Sequence, residues 1–153
     1  MRDAAFCQWV DSFLESLPAA APRIIFEFSE FGAVHNLEQV KAFGALVQGR
    51  GHALGLDHYG QSFSHLAYLQ SLRPDHVKID GGYTGELKDE ENDSRFFIAS
   101  LCSVAHSIDI AVIAEGVETE IQLERLKALH IDAVQGWLIG KPRPIAEIVG
   151  KNA

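Results

Sequence analysis

Five polar side chains stand where short apolar segments of the sequence end. They are Glu27, Asp57, Lys78, Glu115 and Gln135. Each one alone is explained as well by a cap at a strand end or by a surface charge. Because side chains alternate between the two faces of a strand, all five can point to a common centre, which favours a functional site. Clustered carboxylates of this kind supply the hard oxygen ligands that suit Mg²⁺ or Mn²⁺.

The stretch 54–80 contains the unit around which the other elements are arranged. Ala53–Leu56 is apolar and too short for a helix, so we predict a strand that runs into Asp57. Apolar residues then recur at helical spacing at Phe63, Leu66, Ala67 and Leu69. Pro74 ends that helix, because proline disfavours α geometry at the preceding residue. A second strand at Val77–Ile79 completes a βαβ unit.

The rest of the chain repeats this alternation. We predict further strands at Ile24–Phe28, Ala111–Ala114 and Ala133–Ile139. Helices are predicted at Phe6–Leu17, Val40–Val47, Phe97–Ile108, Leu123–Leu129 and Ile145–Val149. Capping pairs are predicted at Asn36 with Gln39 and at Thr119 with Gln122, and a polar connection at Gly81–Arg95. Alternation without hairpin signals implies an α/β protein with a parallel sheet, either doubly wound or closed as a barrel.

The composition limits the class of protein. A chain of 153 residues is long enough for one domain with a sizeable core. Its net charge of −8 argues against binding to duplex nucleic acid. Cys7 and Cys102 show no disulfide or metal spacing, which predicts a reducing compartment. No apolar run reaches the roughly 18 residues of a membrane span, so we expect a cytoplasmic protein or the cytoplasmic part of an inner-membrane protein.

Five segments resemble the motifs of EAL domains, which are cyclic-di-GMP phosphodiesterases and their inactive receptor relatives. The segments are Phe26–Glu30, Leu56–Gly60, Val77–Asp80, Ala114–Thr119 and Val134–Leu138. They follow the family's order from about Ala5 to Pro142. The resemblance implies a modified (β/α)8 barrel of the TIM type, with cyclic-di-GMP bound at the carboxyl ends of the strands.

The resemblance also implies roles for individual residues. Metal ligands are implied at Glu27, Asp57 and Glu115, and catalytic roles at Lys78 and Glu115. Ligand-binding positions are implied at Gln135, Glu118, Gly60, Ser64 and Glu30, the last of which steadies a loop near the site. The family's cofactor is Mg²⁺ or Mn²⁺, and a cation of this kind binds the water that attacks a phosphodiester.

Three departures from the family pattern bear on function. The Glu-Ala-Leu motif and the family's asparagine strand are not found in this sequence. A (β/α)8 barrel takes about 250 residues, so we expect residues 1–153 to be the C-terminal part of a single EAL domain, a partial barrel of about five parallel strands. His58 stands where the family has a second metal-binding aspartate, and imidazole is a poor ligand for Mg²⁺. Gln61-Ser62 replaces a small Thr-Gly pair.

Three functions remain open on the sequence alone. The favoured one is a degenerate receptor that binds cyclic-di-GMP without hydrolysis and without requiring a metal ion. The second is a metal-dependent phosphodiesterase that opens cyclic-di-GMP to the linear dinucleotide. The third is a folded fragment without ligand competence. A parallel sheet of five strands leaves two open edges, so a homo-oligomer formed by edge pairing or swapping is also predicted.

Overall fold

The computed structural model describes residues 4–61, 67–87, 93–144 and 147. Its centre is one sheet of five parallel strands whose spatial order follows the chain. The strands are β1 (Ile25–Ser29), β2 (Ala53–Tyr59), β3 (His76–Ile79), β4 (Ala111–Ala114) and β5 (Ala133–Val134). Parallel neighbours need a crossover connection, and helices provide it here. The predicted α/β class with a parallel sheet is confirmed.

The described ranges contain seven helices. They are α1 (Ala4–Ser16), α2 (Glu30–His35), α3 (Leu37–Gly49), α4 (Ala67–Leu72), α5 (Gly81–Glu86), α6 (Ser94–His106) and α7 (Glu120–Ala128). The predicted helices at α1, α3, α6 and α7 are confirmed. α4 confirms the C-terminal part of the helix predicted from Phe63 onward. Residues 62–66, and the predicted closing helix apart from Glu147, lie outside the described residues. None of the described helices is long and apolar enough to cross a bilayer.

Two short helices, α2 and α5, are not predicted by the sequence pattern. Each has six residues, too few to show a helical period, and each begins at a side-chain cap. The Ser29 hydroxyl accepts a hydrogen bond from the Gly32 amide at 3.2 Å, and the Asp80 carboxylate accepts one from the Gly82 amide at 2.9 Å. Such caps satisfy the free amides of a first turn. The prediction of a polar connection from Gly81 onward is therefore wrong where α5 forms.

The two predicted capping pairs have different outcomes. Thr119 and Gln122 form a reciprocal capping box at the start of α7, as predicted. Asn36 precedes α3 but makes no side-chain cap there. Its amide group instead donates to the Gly32 carbonyl at 3.0 Å, because the same residue ends α2. The prediction for Asn36 is wrong since an unpredicted helix uses its side chain.

The last strand is shorter than predicted. β5 ends at Val134, and residues 137–139 form a turn. Gly136 lies against the backbone of Val117, so that a Cβ at this position would be 2.1 Å from the Val117 carbonyl oxygen. The Val117 amide donates to the Gln135 carbonyl at 3.1 Å, and the Leu138 amide donates to the Val117 carbonyl at 3.1 Å. The apolar residues after Gly136 therefore belong to a turn that wraps Val117.

The core lies mainly between the sheet and the helices α4, α6 and α7. Its central side chains are fully buried, among them Leu54, Leu56, Leu69, Ile79, Ile98 and Leu126. A second cluster joins α1 to α3 through Val10, Leu14, Phe43 and Val47. Burial of this apolar surface stabilises the sheet and fixes the strand ends where the polar residues lie.

Candidate functional site

The strand ends bring four of the predicted site residues together. Lys78 on β3 donates to the Glu27 carboxylate on β1 at 2.7 Å. The same ammonium group lies 3.6 Å from the carboxylate of Glu115, just after β4. Asp57 at the end of β2 lies within 4.8 Å of Glu115 when their nearest ligand atoms are compared. The four residues therefore surround one centre at the carboxyl end of the sheet.

Glu27 is held by two hydrogen-bond donors. His76 Nε2 lies 2.8 Å from one carboxylate oxygen, and Lys78 Nζ lies 2.7 Å from the other. Gly55 makes this possible, because a Cβ there would lie 2.5 Å from His76 Nε2. Burial raises the pKa of Glu27, but the hydrogen bonds from Lys78 and His76 outweigh it and lower the pKa below its ordinary value.

Lys78 is a cation in this setting. Burial lowers the pKa of its ammonium group, but the hydrogen bond to Glu27 and the charges of Glu115 and Asp57 raise it above the ordinary value. A charged lysine between two carboxylates can bind an anionic group or steady the carboxylates. It cannot act as a base near neutral pH, since its proton is retained.

Asp57, His58 and Glu115 form the one group among the described residues whose ligand atoms could hold a metal ion together. Burial and the neighbouring Asp57 carboxylate raise the pKa of Glu115, against the opposite effect of Lys78. A divalent cation would relieve this repulsion between carboxylates. The donor set of two carboxylates and one imidazole fits a single divalent ion, although the imidazole is not a ligand that Mg²⁺ favours.

His58 has an unusual backbone and a fixed ring. Its φ of 57° lies in the left-handed region, and its amide donates to Asp57 Oδ1 at 2.8 Å. The ring Nδ1 lies 2.8 Å from Asp80 Oδ2. This hydrogen bond is the main reason that the pKa of His58 is raised, with smaller contributions from the charges of Asp57, Asp80 and Glu115. Gln61 donates to the same Asp80 oxygen at 2.9 Å.

A cavity of about 400 Å³ opens beside the carboxylate cluster. Glu115, Glu118 and Gln135 line it, together with Gly81, Gly116, Gly136, Trp137, Gly140 and Pro142. The indole of Trp137 is 65% exposed, and the ammonium of Lys141 lies 5.5 Å from its centroid. This cavity combines carboxylate and amide groups, which can read the polar edge of a base, with an aromatic face on which a base can stack.

The remaining predicted site residues lie at different places. Gly60 follows β2 with a φ of 103°, and its carbonyl accepts a hydrogen bond from the Tyr83 hydroxyl at 3.2 Å. Ser64 lies outside the described residues. Glu30 is fully buried and accepts a hydrogen bond from the Tyr68 hydroxyl. Its side chain is therefore in the core, an arrangement that suits steadying a loop and not contact with a ligand.

Three residues that shape the site are not among the predicted site residues. His76 holds Glu27, Asp80 holds His58, and Trp137 lines the cavity. His76 and Asp80 are each two residues from Lys78. Because side chains alternate between the two faces of a strand, the sequence could have indicated that both point to the same side as Lys78. No such signal exists for Trp137, because its position depends on the turn that follows β5.

Comparison with known proteins agrees with this geometry. Residues 1–142 match the model of the EAL domain family. A curated relative, the cyclic di-GMP phosphodiesterase PdeF of Escherichia coli strain K12, is 31% identical over 148 residues, which are 97% of this chain and 20% of PdeF. The chain thus spans about a fifth of the length of that relative.

Two solved structures are similar as well. One is the S helix-GGDEF-EAL part of LapD from Vibrio cholerae, bound to c-di-GMP, with 32% identity and a TM-score of 0.79 over 88% of this chain and 33% of that chain. The other is the manganese/cy-diGMP complex of BlrP1 from Klebsiella pneumoniae at pH 9.0, with 25% identity and a TM-score of 0.75 over 90% of this chain and 35% of that chain. From sheet order, strand-end residues and family match together, it follows that this chain belongs to the EAL domain family.

Proposed function

We propose that this domain binds cyclic-di-GMP at the carboxyl ends of its strands and does not hydrolyse it. The observation that carries the proposal is the arrangement of His58, whose ring is bound to Asp80 beside Asp57 and Glu115. The similarity to the structure of LapD bound to c-di-GMP supports the choice of ligand. Because this chain spans only part of the length of its relatives, the ligand is part of the proposal.

Loss of hydrolysis follows from the charges around His58. Two-metal hydrolysis of a phosphodiester needs negative ligands on both ions, which stand only about 3.5–4 Å apart. His58 brings no negative charge, and Asp80 is already bonded to His58, Gln61 and the Gly82 amide. Glu27 is bonded to Lys78 and His76. These carboxylates are therefore engaged by protein donors in place of a second cation.

Binding draws on a different set of residues. Glu118 and Gln135 line the cavity beside Glu115 and offer acceptor and donor groups to a guanine edge. The segment Gly60–Ser64 is assigned to the phosphate side of the ligand, together with the ammonium of Lys78. Donors of this kind bind phosphate without a metal ion, since charged hydrogen bonds are the stronger class. Mg²⁺ or Mn²⁺ is therefore not required for binding.

The test of this proposal is direct measurement of the product. Purified protein is incubated with cyclic-di-GMP and Mg²⁺ or Mn²⁺, and the linear dinucleotide is followed by chromatography. We expect no turnover above background. Turnover near the typical enzyme range, about 1 s⁻¹ or more, contradicts the proposal and restores the phosphodiesterase function.

The phosphodiesterase remains the second candidate because Lys78 lies between Glu27 and Glu115, as a catalytic lysine would. PdeF, which is 31% identical in sequence, is named as a cyclic di-GMP phosphodiesterase. In the full-length protein, His58→Asp should raise Mn²⁺-dependent hydrolysis, while the control His106→Asp should not. If His58→Asp gives no gain, the imidazole is not what limits hydrolysis.

A further inference from the structure

We propose that the amino ends of β1 and β2 carry a binding site for a small monocarboxylate with a short apolar body. The site is a cavity of about 280 Å³ at the opposite end of these strands from Glu27 and Asp57. Its walls are the C-terminal part of α1, the loop before β1 and the turn between α3 and β2. The inference goes beyond the binding of cyclic-di-GMP and uses none of the residues assigned to that ligand.

His52 brings an unpaired hydrogen-bond donor to this cavity. The residue lines the cavity and is only 8% exposed. Its Nδ1 accepts a hydrogen bond from the Ile24 amide at 3.1 Å, so the neutral ring carries its proton on Nε2. None of the described residues accepts a hydrogen bond from Nε2. Among them, only Thr84 Oγ1 is a sealed side-chain atom without a partner, so His52 Nε2 is open to a molecule in the cavity.

Two guanidinium groups line the same cavity and keep donors to spare. Arg23 Nη2 donates to the His52 carbonyl at 3.4 Å and also to Asp75. Arg50 Nε donates to Asp11 at 2.7 Å. A guanidinium carries several N–H donors, and these bonds use only part of each set. The cavity therefore offers guanidinium N–H groups beside the unpaired Nε2–H of His52.

Glu15 is a weakly held anion at the edge of the site. Its carboxylate lies 3.6 Å from Arg50 Nη2, which is longer than a normal hydrogen bond, and its side chain is 68% exposed. An exposed ion pair of this kind contributes little to stability, so Glu15 can leave Arg50 at small cost. A ligand carboxylate that takes its place at Arg50 exchanges a loose ion pair for a hydrogen-bonded one.

The donors and the apolar wall together set the class of ligand. An ionised carboxylate only accepts hydrogen bonds, so it suits a cavity whose spare side-chain groups are N–H donors. Asp11 and Asp75 already balance the charges of Arg50 and Arg23, so the site favours one negative charge over the two of a phosphate dianion. The remaining wall accommodates a short hydrocarbon chain and consists of Leu14, Leu17, Pro18, Ala19 and Ala21 with Gly51.

The experiment is an NMR titration of the unmodified full chain with butyrate, observed at the backbone amides and the histidine side chains. We expect saturable shifts at His52 Nε2 and at the amides of Arg50 and Gly51, and no shift at Gln135 in the other cavity. Butyramide has the same carbon chain without the charge and should bind about 10-fold more weakly. Inorganic phosphate, which has no apolar body, should give no saturable shift at His52.

Two variants separate the donor from the competing anion. His52→Asn keeps an acceptor for the Ile24 amide but removes the Nε2–H, so it should weaken butyrate binding about 10-fold. Glu15→Gln removes the carboxylate that competes for Arg50, so it should strengthen binding about 3-fold. Glu124→Gln is the matched control, because Glu124 is 67% exposed, is paired with a lysine and does not line the cavity.

The proposal is overturned if butyrate shifts no signal of His52, or if butyramide or phosphate binds there as tightly as butyrate. It is also overturned if Glu15→Gln and Glu124→Gln change the affinity for butyrate equally. The readout at His52 uses the unmodified chain, so it decides the matter even where a variant folds poorly. Binding of cyclic-di-GMP is measured without butyrate and at the other end of the strands, so the failure of either proposal is distinguished from failure of the other.

Discussion

At the scale of single residues, the site is a set of carboxylates, most of which are already bonded to donors of the protein itself. Glu27 is bonded to His76 and Lys78, and Asp80 is bonded to His58 and Gln61. Such charge-assisted hydrogen bonds are short and strong. They take up acceptor positions that an ion or a water would otherwise use. The chemistry of the site is therefore decided as much by the partners of the carboxylates as by the carboxylates.

The hydrogen bonds of Glu27 make stability depend on pH. Because the pKa of Glu27 is lower in the folded chain than the ordinary value of 4.5, the stabilisation is present above that value and is lost as the pH falls through the folded pKa. Glu27→Gln should reduce the free energy of unfolding at pH 7 by about 1–2 kcal/mol. The variant should also show a weaker loss of stability on acidification.

Urea denaturation from neutral pH down through the carboxyl range measures this difference. Glu38→Gln is the control, since Glu38 is an exposed residue of α3. If the curves of Glu27→Gln and of the unmodified chain fall in parallel below pH 4.5, the hydrogen bonds from Lys78 and His76 do not stabilise the fold.

At the scale of elements, the long periodic segments were predictable and the short capped ones were not. Short apolar segments indicate β1, β2 and β4 directly in the sequence, and β3 is indicated by the alternation of Val77 and Ile79 with polar residues. Apolar periodicity does not indicate α2 or α5, since each has only six residues. α2 is capped by Ser29 and α5 by Asp80. A single hydrogen bond from a side chain decides such a helix, and periodicity carries no information about it.

The candidate site likewise has parts that the sequence predicts and parts that it does not. Positions of Glu27, Asp57, Lys78 and Glu115 were predictable because strand alternation alone places them on one side of the sheet. The length of β5 was not, since Ile139 continues an apolar pattern that looks like a strand. Its true end depends on the contact between Gly136 and the backbone of Val117, which lies far from the segment in sequence.

Gly136 gives a prediction for this element. A Cβ at Gly136 would meet the Val117 carbonyl oxygen at 2.1 Å, and backbone atoms cannot give way as a side chain can. Gly136→Ala should lower the free energy of unfolding by about 2–3 kcal/mol, in the range of overpacking changes. It should also weaken binding at the cavity that Gly136 lines.

Gly140→Ala is the matched control, because Gly140 lines the same cavity and a Cβ there would have no neighbour within 4 Å. Thermal unfolding of the two variants measures the difference. If Gly136→Ala is as stable as Gly140→Ala, the turn after β5 does not lie on Val117 in the way described.

At the scale of the whole molecule, the sheet order places β1 and β5 at its two ends in the described part of the chain. β1 carries Ile25, which is 52% exposed. A strand at the edge of a sheet, with one side unpaired and with exposed apolar side chains, is a template for pairing with another chain. A specific interface of this kind buries at least roughly 1,000 Å².

We therefore expect the 153-residue chain to self-associate at low micromolar concentration. Light scattering should give a mass above that of one chain, which is 16.8 kDa. Ile25→Lys should shift the mass towards the monomer, because charged residues on an edge strand oppose pairing. Ile121→Lys is the control, since Ile121 is an exposed isoleucine on α7 and not on a strand. A sharp monomer mass for the unmodified chain contradicts the prediction.

The central claim is that cyclic-di-GMP binds without a metal ion, and isothermal titration in EDTA tests it most directly. We predict saturable binding of the dinucleotide to the full-length protein, with the affinity unchanged when Mn²⁺ replaces EDTA. Gln135→Ala should weaken binding about 10-fold, which corresponds to the loss of one hydrogen bond. The control Gln70→Ala, an exposed residue on α4, should leave the affinity unchanged. Undetectable binding in EDTA that is restored by Mn²⁺ would contradict the account.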